Sequence, residues 1–152
     1  MTEILKKEDI DIVISSPYKR AIQTVEGVAK RIGKEVLIED GFRERKLSEK
    51  PVEDFYQAVT KVWEDYNFSR KGGESNISAQ ERGVNVTKQL LERYEGKNIV
   101  IGTHGNIMVF IMNYFDEKFG FEFWKELKMP DIYKLTFDRS KLIEVNRIWV
   151  NL

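Results

Sequence analysis

The chain has 152 residues, 41% hydrophobic and 12% aromatic against 33% charged, with 25 basic and 25 acidic side chains, one histidine and no cysteine. That length predicts a single domain burying about 70% of the surface its unfolded chain exposes. The composition excludes a disordered or membrane-embedded chain, and the charge balance gives sequence-independent nucleic-acid binding no electrostatic drive. Without cysteine there is no disulfide, thiolate metal site or thiol nucleophile, and a lone histidine outside any Asp/Glu cluster argues against a zinc site or other cofactor. The start, Met1 to Glu8, lacks the pattern of a signal peptide, and no stretch reaches membrane-spanning length, so a cytoplasmic location and no membrane partner are expected.

Met1 to Glu8 reads as the end of a helix, with Lys6-Lys7 suited to a carboxyl terminus. Ile10 to Ile14 is a β-branched strand that stops at Ser15-Ser16-Pro17, where Ser16 can cap a helix and Pro17 take its first position. The helix from Pro17 to Ile32 sets Ala21, Val25, Val28, Ala29 and Ile32 on one face, and Gly33 ends it. Glu35 to Glu39 is a second strand, followed by the charged turn Asp40-Gly41-Phe42-Arg43-Glu44-Arg45. Pro51 opens a helix to about Phe68, whose stripe Phe55, Val59, Val62, Trp63 and Tyr66 reads as packing surface rather than a cofactor box. After the loop Lys71 to Ser75, a helix runs to about Tyr94, with Ser78-x-x-Glu81 as its capping box. Ile99 to Gly102 is a buried strand, Thr103 to Asn106 a turn, and Ile107 to Met112 the apolar part of a helix. An aromatic segment from Phe121 to Leu127 precedes two strands, Ile132 to Phe137 and Leu142 to Val150, joined as a hairpin by Asp138 to Lys141.

Strands interleaved with helices and ending in a hairpin predict an α/β sandwich with a mostly parallel sheet and an antiparallel edge. In such a sheet three turns face one edge: Ser15 to Arg20, Arg43-Glu44, and His104-Gly105-Asn106. They offer a guanidinium, a carboxylate, an imidazole and a helix amino terminus. This set suits a phosphoryl group, for which arginine supplies forked donors, the helix end supplies N–H groups, and a carboxylic acid can protonate a leaving oxygen. The expected partner is therefore a small phosphorylated molecule or inorganic phosphate. No P-loop accompanies the site, since Gly96-Lys97 lacks the preceding glycine and the following Ser/Thr. Spacing alone makes His104, the only imidazole, the candidate nucleophile. Ser15 and Ser16 read as turn and cap, because no second histidine exists to activate them.

Ser15-Ser16-Pro17-Tyr18-Lys19-Arg20-Ala21-Ile22-Gln23-Thr24 resembles the Ser-Ser-Pro-x-x-Arg-Ala-x-Gln-Thr block of the histidine phosphatase, or phosphoglycerate mutase-like, superfamily. Gly73-Glu74-Ser75 and Thr103-His104-Gly105 match its later blocks in order, and the match runs over essentially the whole chain. The resemblance implies a three-layer α/β/α sandwich. It also implies that Arg20 clamps the transferred phosphoryl group, that Glu44 is the proton donor to the leaving group, and that His104 is the second, supporting histidine rather than the nucleophile. Glu39, Asp40 and Glu49 are the other carboxylates close to Glu44.

Arg43-Glu44-Arg45 only partly resembles the family's loop, and the larger departure is at the family's first block. The family begins with a strand ending in Arg-His-Gly, whose histidine becomes phosphorylated; this chain has no such motif, and His104 is its only histidine. The expectation is a domain over 1–152 that is amino-terminally truncated relative to the family. A phosphohistidine mechanism needs one imidazole to attack and a second group in support, so the chain alone is expected to be inactive. The alternative is a non-catalytic phosphoanion-binding or interaction module. The missing strand would lie beside the strand that leads to His104. The gap is expected to close by pairing of 99–102 with 132–137, or to be filled by another chain, a homodimer included.

Overall fold

A computed structural model describes residues 2–128 and 131–148. Three parallel strands form its centre: β1 (Ile12–Ser15) lies between β2 (Val36–Ile38) and β3 (Ile99–Gly102). The register pairs Ser15 with both Ile38 and Gly102, so the three strands end level with one another. Beyond that level Ser16 still donates its N–H to Gly102 at 2.9 Å, and Glu39 donates to Ser15 at 2.9 Å. The loops after all three strands therefore leave from the same edge, as the chain order of strands and helices predicts.

Alternation along the strands divides the core in two. Val13 and Val100 point to one face, where Val25, Val28 and Ala29 of α1 (Lys19–Ile32) cover them. Ile12, Ile14, Ile99 and Ile101 point to the other, against Ile107, Phe110 and Ile111 of α4 (Gly105–Phe115), with α3 (Asn76–Arg93) beside it. α1 ends at Gly33, whose φ of 69° is the left-handed conformation that a helix stop favours. Gly102 is fixed by proximity: a Cβ there would stand 2.7 Å from the carbonyl oxygen of Ala21 and 3.0 Å from Val25, so α1 lies directly on the end of β3.

Several boundaries differ from the sequence reading, at α2 and α3 because a nearer side chain satisfies the helix start. α1 begins at Lys19 with Tyr18 at its N-cap, so Pro17 precedes the helix and Ser16 is not its cap. α2 (Phe55–Glu64) starts after Asp54, whose carboxylate accepts the N–H of Gln57, and not at Pro51. α3 is capped by Ser75, which accepts the N–H of Ser78, and the box expected at Ser78 and Glu81 is not its start. At the amino terminus the turn Ile4–Lys7 is 3₁₀ rather than α-helical.

The short helix α5 (Phe121–Lys125) leads to an antiparallel hairpin of β4 (Tyr133–Asp138) and β5 (Lys141–Arg147). Its turn is tighter than the four-residue loop expected, with Asp138 paired to Lys141 and Arg139 at φ 56°. The predicted end of the last strand, 149–150, lies outside the described residues, as does Met1 of the first turn. The hairpin forms a sheet of its own, so the expected pairing of 99–102 with 132–137 does not occur. Side chains hold it instead: Ile132 and Ile148 pack into the α1-side core, Phe137 meets Phe115 at 5.0 Å, and Lys134 pairs with Glu8 at 2.9 Å. Among the described residues the outer edge of β3 has no strand partner. Gly102→Ala is expected to lower stability by about 1–3 kcal/mol through overpacking against α1, read as a lower urea midpoint with an unchanged slope.

Candidate functional site

The β1 loop, the segment after β2 and the start of α4 meet at the carboxyl edge of the parallel sheet. Glu44 joins two of these segments through three hydrogen bonds. One of its oxygens accepts the N–H of Ile107 at 3.0 Å, and the other accepts the N–H of Asn106 at 3.1 Å and its side-chain amide at 3.3 Å. His104 is the N-cap residue of α4 but makes no side-chain capping bond, so Glu44 caps this helix from another part of the chain. Two of the N–H groups that the sequence assigned to a phosphoryl group are thus given to a carboxylate.

The loop carrying Glu44 is pinned from several sides. Arg82 of α3 donates Nη1 to the carbonyls of Gly41 and Arg43, both at 2.8 Å, while its Nε and Nη2 hold Glu74 as a fork at 2.8–3.2 Å. Thr103 donates its hydroxyl to the carbonyl of Phe42 at 2.8 Å, which ties this loop to the turn before His104. Arg45 turns inward, buried over the ring of Phe110 at 5.5 Å and hydrogen-bonded to Asn76 at 2.5 Å. Burial lowers the basicity of that guanidinium, and the nearby Glu44 and Glu74 oppose the effect.

His104 is half-buried, with Nε2 2.8 Å from the hydroxyl of Ser16 and the edge of its ring against Tyr18 at 5.2 Å. Burial holds the imidazole below its ordinary value; Glu44 raises it, while Arg20 and Arg82 lower it further. Arg20 lies on the exposed first turn of α1, and its guanidinium makes no hydrogen bond among the described residues. The three predicted residues Arg20, Glu44 and His104 therefore share one niche, together with Gly105 and Asn106 at the helix start. Sequence reasoning missed Arg82, the fork on Glu74 and the Arg45–Asn76 pair, and it gave Ser16 a local role where the structure gives it His104. Glu74 was visible in the Gly-Glu-Ser block, but its partner eight residues on carried no signal.

The carboxyl edge of a parallel sheet is where open α/β proteins place their ligand sites. The chain belongs to the histidine phosphatase superfamily (branch 1), whose model matches residues 1–147. It is 30% identical over 114 residues to phosphoglycerate mutase-like protein 4 of Arabidopsis thaliana, a match covering 68% of this chain and 49% of that protein. It shares its fold with a phosphoserine phosphatase variant of Entamoeba histolytica in complex with phosphoserine, at TM-score 0.74 and 22% identity, covering 95% of this chain and 79% of the other. It also shares it with a mycobacterial glucosyl-3-phosphoglycerate phosphatase in complex with inorganic phosphate, at TM-score 0.66 and 22% identity, covering 76% and 63%. The chain thus spans about half the length of the curated relative it matches. No helix among the described residues is long and apolar enough to cross a membrane.

Two outcomes follow from this geometry. Arg82→Met strands Glu74 and two loop carbonyls and is expected to cost about 3 kcal/mol in urea unfolding, with Glu74→Gln milder because it leaves an acceptor for the guanidinium. His104, held low in the folded state, is protonated first in the unfolded chain. Its destabilising effect is absent above about pH 6.5, grows as pH falls towards the folded value and is constant below that. The stability difference between wild type and His104→Gln is therefore expected to change across that window and to be flat above it.

Proposed function

We propose that this chain is the phosphoryl-binding part of a histidine phosphatase active site, acting on small phosphate esters. Arg20 grips the phosphoryl oxygens, with His104 in support and Gly105 and Asn106 bordering the same group, and Glu44 is the proton donor to the leaving oxygen. For Glu44 to donate, one of its oxygens carries a proton and gives up its bond at the start of α4, so arrival of the ester and rearrangement at Asn106 go together. The convergence of Arg20, Glu44 and His104 at one sheet edge carries this reading, and the phosphoserine and phosphate complexes of proteins that share the fold support it.

The attacking imidazole is not among the 152 residues, whose single histidine cannot both attack and support. In this proposal it comes from a segment outside this chain that carries the family's Arg-His-Gly strand and pairs with the open edge of β3. A second copy of the chain could cover that edge without supplying the missing residue, and sedimentation equilibrium separates the dimer from the monomer. The chain by itself then binds phosphate and does not turn over an ester.

Titration with inorganic phosphate or vanadate is expected to show saturable binding, weakened about tenfold or more in Arg20→Ala, in line with roughly 1.5–3 kcal/mol for a hydrogen bond to a charged group. With p-nitrophenyl phosphate no turnover above background is expected. Robust turnover abolished by His104→Ala would overturn the assignment of a supporting role to His104. Absence of anion binding would remove both the enzymatic reading and that of a phosphoanion-binding module.

A further inference from the structure

We infer that Ser16 is a positioning residue that holds His104 as the neutral imidazole with its proton on Nδ1, so that an anion entering the site is accompanied by a proton. The first half stands on hydrogen-bond geometry alone; the second rests on the phosphate reading above.

Ser16 has no exposed surface, so its hydroxyl proton needs an acceptor inside the protein. Its Oγ has two partners among the described residues: the N–H of Tyr18 at 3.4 Å and Nε2 of His104 at 2.8 Å. The first is a donor and occupies a lone pair of the oxygen. The second is then the only acceptor for the hydroxyl among the described residues, so O–H donates to Nε2 and the ring proton sits on Nδ1. The arrangement is built by the sheet, because the N–H of Ser16 bonded to Gly102 places its side chain beside the turn that ends in His104. Full burial also argues against Ser16 as a nucleophile, since no substrate atom reaches it.

Protonation of Nε2 reverses the polarity of this bond. Nε2–H then donates to Oγ, and the serine proton is left without an acceptor. The surroundings of the ring bear on the same balance: burial disfavours the imidazolium, Glu44 favours it, Arg20 and Arg82 disfavour it, and Tyr18 presents an uncharged ring. A phosphate oxygen held by Arg20 changes this balance without touching Ser16: at the ring it replaces a positive field by a negative one. Anion binding and proton uptake are thus coupled, and by linkage each favours the other.

Because His104 is the only histidine, its ring nitrogens are readable in isolation by two-bond ¹H–¹⁵N correlation on labelled protein. At about pH 8, above the ordinary titration range, wild type is expected to show the Nδ1–H tautomer. Ser16→Ala is expected to lose that preference and to titrate at higher pH, and Ser16→Thr, which keeps the hydroxyl, to restore both. A wild-type ring protonated on Nε2, or a Ser16→Ala protein with unchanged tautomer and titration, overturns the role of Ser16; a thermal melt confirms that each variant is folded. Inorganic phosphate is expected to move the His104 titration upward in wild type and not in Arg20→Ala. If the Nδ1–H tautomer is present but phosphate leaves the resonances unmoved, the coupling fails with the phosphate reading, while the positioning role stands.

Discussion

The amino end of α4 needs an acceptor, and in this protein Glu44 supplies it. Free N–H groups at a helix start carry partial positive charge and remain costly when half-buried. A carboxylate from the loop after β2 meets two of them and thereby locks that loop to the turn after β3. The remaining contacts serve to hold the carboxylate in place: Arg82 on the loop carbonyls, Thr103 on Phe42, and Arg45 buried against Phe110. The consequence for chemistry is a division of labour. The positive end of the helix is matched internally, while the guanidinium of Arg20, on the exposed first turn of α1, makes no hydrogen bond among the described residues.

The fold was legible where a local pattern coincides with burial. The β-branched run at 10–14, the apolar run at 99–102 and the stripe of Ala21, Val25, Val28 and Ala29 predict elements at the centre of the fold, where β1, β3 and α1 form. Boundaries were less legible, because Asp54 and Ser75 compete with Pro51 and Ser78 for the helix starts and only the backbone geometry decides between them. The separation of the hairpin from the parallel sheet had no signature at all. An alternating strand pattern states which face is buried and says nothing about which strand lies alongside.

The site shows the same division. Arg20, Glu44 and His104 were legible as candidates from turn chemistry, strand order and the motif around Ser15 to Thr24. The groups that orient them were not, because their bonds join residues far apart in the chain: Arg82 with Gly41 and Arg43, Arg45 with Asn76, Ser16 with His104. Ser16 is the instructive case. A serine before Pro17 reads as a helix cap, yet the helix starts after Tyr18, which frees the hydroxyl to meet an imidazole at the end of the neighbouring strand.

In the function proposed for it, the niche supplies grip, proton donor and supporting imidazole and takes its attacking group from elsewhere. The most direct test is to incubate the chain with acetyl phosphate or a phosphate ester and look for an acid-labile phosphohistidine by ³¹P NMR and peptide mapping. The account predicts none on this chain. Phosphate recovered on His104 would contradict it, because the only histidine would then be the nucleophile.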